Sequence, residues 1–173
     1  MLHIDPHIKE VALKQMEERG ERAGRMERAL TTVKGTALLD LQFRAQVEGH
    51  SFISDERQSA GGHDAGPAPM RYFVAGIMLC HKVWMVKTAA MMDLKLESLE
   101  GEMSWFNDQP IPRIGYAISI KSGHKDDEIV KMVEGGARGC PAFKVMERAV
   151  SIEVTANHNG KKIFEKTYGL TQG

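Results

Sequence analysis

Two residues in this chain carry chemistry that their neighbours do not: the thiols of Cys80 and Cys140, 60 positions apart. Cys80 lies inside Gly-Ile-Met-Leu-Cys-His-Lys, and Cys140 inside Arg-Gly-Cys-Pro. If Pro141 opens a helix, Cys140 is at or near its N-cap, where free N–H groups and the positive dipole end lower a thiol pKa. Cys80 has no such help in mid-helix, and burial alone would raise its pKa, so a reactive Cys80 needs a cation or a hydrogen-bond donor beside it. The alternative is that both are packed core residues, since free cysteine is among the most buried side chains. Gly76 and Trp84 stand one turn before and after Cys80, the first able to admit another backbone and the second to wall an apolar pocket, or both simply to pack. The neighbouring His81 points about 100° away on a helix and reads as a packing or surface residue rather than a base.

The other histidines are less suggestive. His3 and His7 have i, i+4 spacing, but Asp5-Pro6 intervene and no third ligand is evident, so a metal is not expected. His50, His63, His124 and His158 fall in expected turns and loops, where solvation is the default.

Elements that could position the thiols follow from periodicity. Asp5-Pro6 sets a cap and a first-turn proline before Ile8, Val11, Ala12 and Met16 at helical spacing. Glu17 to Arg28, interrupted by Gly20 and Gly24, reads as a solvated helical arm, giving an extension over residues 1–34 and a main domain over 35–173. Leu39, Leu41, Phe43, Ala45 and Val47 alternate, Glu48-Gly49 can turn, and Phe52-Ile53 resume, which predicts a hairpin. Glu56 to Pro69 is too rich in Gly and Pro for regular structure. Met70 to Met92 is apolar around most of its circumference and predicts a largely buried helix.

Leu94 to Trp105 predicts a strand with a slip near Gly101, and after Pro110 and Pro112 the residues Ile114 to Ile120 alternate cleanly. Asp126-Asp127 open a helix ending at Gly135-Gly136 or Gly139, and a half-helix restarts at Pro141. Val150 to Val154 and Ile163 to Tyr168 flank Asn159-Gly160, a type I′ turn pair. The sum is an α+β fold in which an antiparallel sheet covers two helices. No repeat, Rossmann glycine pattern, P-loop or zinc-hydrolase motif is present.

Composition narrows the function. Of 173 residues, 42% are hydrophobic, Lys+Arg and Asp+Glu number 23 each, and the formal net charge is zero. That is one ordinary domain with no basic footprint for nucleic acid or an anionic membrane. The uncharged stretch Tyr72 to Cys80 is shorter than the roughly 20 residues of a bilayer span. The first residues lack the pattern of a signal peptide, which places the protein in the cytoplasm, where two cysteines read as thiols rather than a structural staple.

The run Gly61-Gly62-His-Asp-Ala-Gly66-Pro67-Ala-Pro69-Met70 entering a helix with Cys80, then Cys140-Pro141 and the strand Val150 to Val154, resembles the OsmC/Ohr family over about Thr36 to Thr167. The resemblance implies an intertwined homodimer, with antiparallel sheets wrapped around long central helices and active sites at the dimer interface. It implies thiol-dependent reduction of organic hydroperoxides, with Cys80 as peroxidatic and Cys140 as resolving cysteine, regenerated by an external dithiol without a cofactor. Tyr72, Phe73, Trp84 and the methionines would favour an apolar alkyl hydroperoxide. Peroxidase members carry a Glu near the start of the cysteine helix, paired with an Arg from the first hairpin. Here Met70 and Arg71 hold those helix positions, and Arg44 and Arg57 are the candidates for the Arg. Arg71 is nine residues from Cys80, about half a turn out of phase. A second expectation is therefore a catalytically altered member that binds a small apolar or thiol-reactive ligand at the same interface, and a third is a purely structural dimer.

Overall fold

A computed structural model describes residues 1–22, 31–107 and 112–170. Parts of the expected N-terminal arm, Gly24 included, and Pro110 lie outside the described residues. The chain divides into two compact units, Arg19–Phe73 and Val74–Gly173, the latter taking in Met1–Glu18.

The smaller unit contains a three-stranded antiparallel sheet, β1 (Lys34–Leu39), β2 (Gln42–Val47) and β3 (His50–Ser54). Sequence alternation predicts two strands; the chain instead turns once more at Asp40, whose φ of 46° is a conformation that short polar side chains tolerate. Alternation alone misses this because Leu39 and Leu41 keep the period of 2 across the turn. The expected turn at Glu48-Gly49 is present, with φ of 49° and 84°, as a type I′ hairpin requires. In the following loop, buried Asp55 accepts from the backbone N–H groups of Glu56, His63 and Ala65 at 2.8, 3.1 and 3.2 Å. Burial pushes its carboxyl pKa up, but the three donors outweigh it and the net pKa is low. One side chain thus organises the glycine-rich run that leads into the next helix.

The larger unit is a four-stranded sheet, ordered β4 (Leu96–Phe106), β5 (Arg113–Ser122), β6 (Ser151–His158) and β7 (Lys161–Gly169). It is antiparallel except between β5 and β6, which run parallel because α3 (Asp126–Gly139) and α4 (Pro141–Met146) form a crossover connecting them. The fold is α+β, as the pattern predicts. The β4 irregularity sits between Leu96 and Ser98 rather than near Gly101. Ile114, Tyr116, Ile118 and Ile120 on β5 are buried at 2% exposure or less, so the sheet presents one continuous apolar face. Asn159 and Gly160, at φ of 50° and 85°, close the β6–β7 hairpin as expected.

Helix α1 (His7–Arg22) begins where the Asp5 carboxylate accepts from the His7 N–H at 2.8 Å. Ahead of it, the Leu2 N–H donates to the Leu96 carbonyl at 2.9 Å, and Leu2 and Ile4 pack against the core of the larger unit.

His158, expected in a solvated turn, is a buried residue ending β6. Its Nδ1 lies 2.7 Å from Asp126 at the start of α3 and its Nε2 lies 2.8 Å from Ser122 Oγ at the end of β5. His124 is likewise engaged, its Nε2 accepting from the Lys95 N–H at 2.9 Å. The His158 hydrogen bond, then Lys161, holds the Asp126 carboxyl below the usual range. Alternation could not reveal this clasp, because its three members come from separate elements.

Helix α2 (Pro69–Met91) supplies the rest of the core through Ile77, His81, Trp84, Met85, Thr88, Ala89 and Ala90. At 23 residues it is long and apolar enough to cross a bilayer by length and composition, which counting Tyr72 to Cys80 underestimates. Its buried face, which includes a histidine and a threonine, identifies it as a core helix of this unit. The expectation of burial around most of its circumference is not met within one chain. Met70, Phe73, Leu79 and Val83 are 43–56% exposed, and a Cβ added at Gly76 would meet nothing within 4 Å.

Candidate functional site: two thiols between helices

Cys140 has extended backbone, φ −77° and ψ 116°, and is at once the C-cap of α3 and the N-cap of α4. The proline after it explains the break: it lacks an N–H to continue α3 but is preorganised to start a new helix. Close approach of α3 to α2 depends on small residues. A Cβ at Gly139 would fall 2.3 Å from Trp84 Cε3, and one at Gly136 would fall 2.6 Å from Met85 Cγ. Trp84 therefore packs one edge of its ring against the end of α3.

This packing brings the sulfurs together. Cys140 Sγ donates to Cys80 Sγ at 3.2 Å, and the Phe143 N–H donates to Cys140 Sγ at 3.4 Å. Both are free thiols; Cys140 is fully buried and Cys80 partly accessible. A disulfide needs sulfurs about 2.05 Å apart, so closure requires a movement of only about 1.2 Å.

The expectation that the helix N-cap lowers the Cys140 pKa is overturned. Burial pushes it up to about 12, the Phe143 N–H opposing and the Cys80 neighbour reinforcing. One long N–H···S contact on a six-residue helix does not offset removal from water.

His81 is fully buried, edge-on to Tyr116 with ring centroids 5.4 Å apart and tilted on Phe143 at 5.0 Å. Neither of its ring nitrogens makes a well-formed hydrogen bond among the described residues, and the Val133 backbone is the polar group that bears on it. Burial lowers its pKa to about 4, which the Val133 backbone opposes only in part. The ordinary value is about 6.5, so between roughly pH 6.5 and 4 the unfolded chain binds a proton that the folded one refuses. Stability present above that range is lost as the pH falls, at up to about 1.4 kcal/mol per pH unit. Denaturant titrations at pH 7 and 4.5 should show a smaller loss for His81→Phe than for the unsubstituted protein; an equal loss would show that His81 does not carry it.

Other predicted residues lie on β2 and in the first turn of α2. Arg44 on β2 and Arg71 on α2 are exposed, and neither pairs with an acid among the described residues. Tyr72 donates its hydroxyl to the Ile53 carbonyl at 2.7 Å and lies 4.7 Å from Phe52, inside the smaller unit. Tyr116 was not anticipated beside His81: alternation assigns it to the buried face of β5, but nothing in its spacing links it to α2.

Residues 61–155 match the family model described as OsmC-like protein, more than half of the chain. This chain belongs to the OsmC-like family. Solved structures agree at the level of the OsmC-like fold. An OsmC-like protein from Mycoplasma pneumoniae superposes with a TM-score of 0.67 at 15% identity, covering 77% of this chain and 99% of that one. An organic hydroperoxide resistance protein OsmC from Legionella pneumophila gives 0.58 at 18% identity, covering 75% and 99%. Another organic hydroperoxide resistance protein, from Elizabethkingia anophelis, gives 0.61 at 14%, covering 78% and 99%. None of the curated proteins compared matches the sequence. The OsmC-like match spans the glycine-rich loop, Cys80 and Cys140, within the wider Thr36 to Thr167 range of the sequence resemblance.

Proposed function

We propose that this OsmC-like protein is a cytoplasmic, homodimeric thiol peroxidase that reduces organic hydroperoxides. The supporting observation is the division of labour between two sulfurs 3.2 Å apart, one accessible and the other buried and protonated. Cys80 thiolate attacks the peroxide O–O bond, an alcohol leaves, and Cys80 becomes a sulfenic acid. Cys140 then displaces the hydroxyl as water, giving a disulfide that an external dithiol reduces. Arg44, Met70, Arg71, Tyr72, Phe73 and Trp84 are the proposed substrate-contacting residues. The exposed apolar residues Leu79 and Val83 of α2 are a surface that a second subunit would cover.

Thiol titration after one equivalent of cumene hydroperoxide tests the reading. Both thiols should disappear together; two surviving thiols would overturn it. The absence of a Glu at the start of α2, with Arg44 and Arg71 unpaired among the described residues, favours a second reading. In that case the protein binds a small apolar or thiol-reactive ligand at the interface without turning over peroxide.

A further inference from the structure

Independently of the peroxidase reading, we propose that Cys80 and Cys140 form a chelating site for a monosubstituted trivalent arsenical, R–As(OH)2, whose arsenic bridges the two sulfurs.

The separation of the sulfurs selects this class of ligand. Both are free thiols, and at 3.2 Å they stand farther apart than the roughly 2.05 Å of a disulfide. A linear two-coordinate ion holds its sulfurs on opposite sides, two bond lengths apart, which is wider than this gap. Structural zinc takes four ligands, and among the described residues no group of three or more His, Cys, Asp or Glu is placed to hold a metal. Pyramidal arsenic needs only two sulfurs. Because its bonds stand close to a right angle, it holds them at about the separation seen here.

The step is a condensation without electron transfer. R–As(OH)2 and the two thiols become R–As(S–Cys80)(S–Cys140) and two waters: two As–O bonds break, two As–S bonds form, and arsenic stays trivalent. Each thiol proton ends on a departing hydroxyl. Burial holds Cys140 as the thiol, and the arsenic-bound hydroxyl takes its proton as the sulfur adds, so no standing thiolate is needed there. Access sets the order. Cys80 is partly accessible and reacts first; fully buried Cys140 is then reached by arsenic already held beside it. The organic group points away from Cys140, to the accessible side of Cys80. Gly76 stands one turn before Cys80 on the same face of α2, and a Cβ added there would meet nothing within 4 Å, which leaves room for the substituent.

Phenylarsine oxide, hydrated in water to the dihydroxide, tests the site on protein reduced with a phosphine, which supplies no competing thiol. Native mass spectrometry should show one arsenical per chain, with the mass of the dihydroxide less two waters, and titration with dithiobisnitrobenzoate should find both thiols gone. Competition with dimercaptopropanol should give dissociation constants at least about 100-fold larger for Cys80→Ser and for Cys140→Ser, the low end of the gain from making a second attachment intramolecular. A single-cysteine variant that binds as tightly as the unsubstituted protein, or a thiol that still titrates in the complex, would overturn the chelate. Should the variants not fold, protein first oxidised to the disulfide with diamide decides the matter: it should bind none, and binding to it would overturn the proposal. Failure to consume hydroperoxide would remove the peroxidase reading and leave this result unaffected.

Discussion

Cys80→Ser is expected to reduce hydroperoxide consumption to the background of the assay, because an alcohol at neutral pH supplies essentially none of the anion that a thiol does. Cys140→Ser should behave differently. It should consume one equivalent of peroxide and stop, or continue only as fast as an external thiol reaches Cys80, since the first oxidation does not involve Cys140. A dithiol-coupled peroxide assay of the two variants beside the unsubstituted protein separates these outcomes. If Cys80→Ser retained turnover, the accessible sulfur would not be the nucleophile. If Cys140→Ser turned over at the full rate, the proximity of the two sulfurs would have no part in the cycle.

Leu79→Glu is expected to convert the proposed homodimer into monomers. Leu79 is 56% exposed and Val83 50%, on a helix whose opposite face is fully committed to the core. The substitution is therefore cheap in an isolated chain. At a two-fold interface it places a carboxylate from each subunit in an apolar contact, and each buried charge costs several kcal/mol if it stays ionised. A dissociation constant raised at least about 100-fold corresponds to only about 2.8 kcal/mol, well within that cost. Sedimentation equilibrium across a concentration series reads the shift, and thermal denaturation checks that the monomer is folded. An unsubstituted protein that is monomeric, or a variant that remains dimeric, would remove α2 from the interface.

The elements whose patterns come from a single face were legible in the sequence. The alternation on β5, the Asn159-Gly160 turn and the restart of helix at Pro141 all predict what the structure contains. The misreadings occur where two causes compete within one residue. Leu39 and Leu41 preserve strand periodicity across a turn set by Asp40. Cys140 occupies a helix N-terminus, yet burial outweighs it. His158 ends a strand next to a turn signal, but partners on two other elements draw it inside. The pairing of the thiols came from family resemblance, not from spacing, since 60 positions of intervening chain say nothing about distance.

The sulfur of Cys140 also serves as the backbone cap of α4, accepting the Phe143 amide. Closing the bond at that sulfur alters its contact with the amide, so electron transfer and the capping of a helical turn share a single atom. The oxidised protein would therefore differ from the reduced one in local backbone order, a distinction that a reductase surface could read before it touches the disulfide.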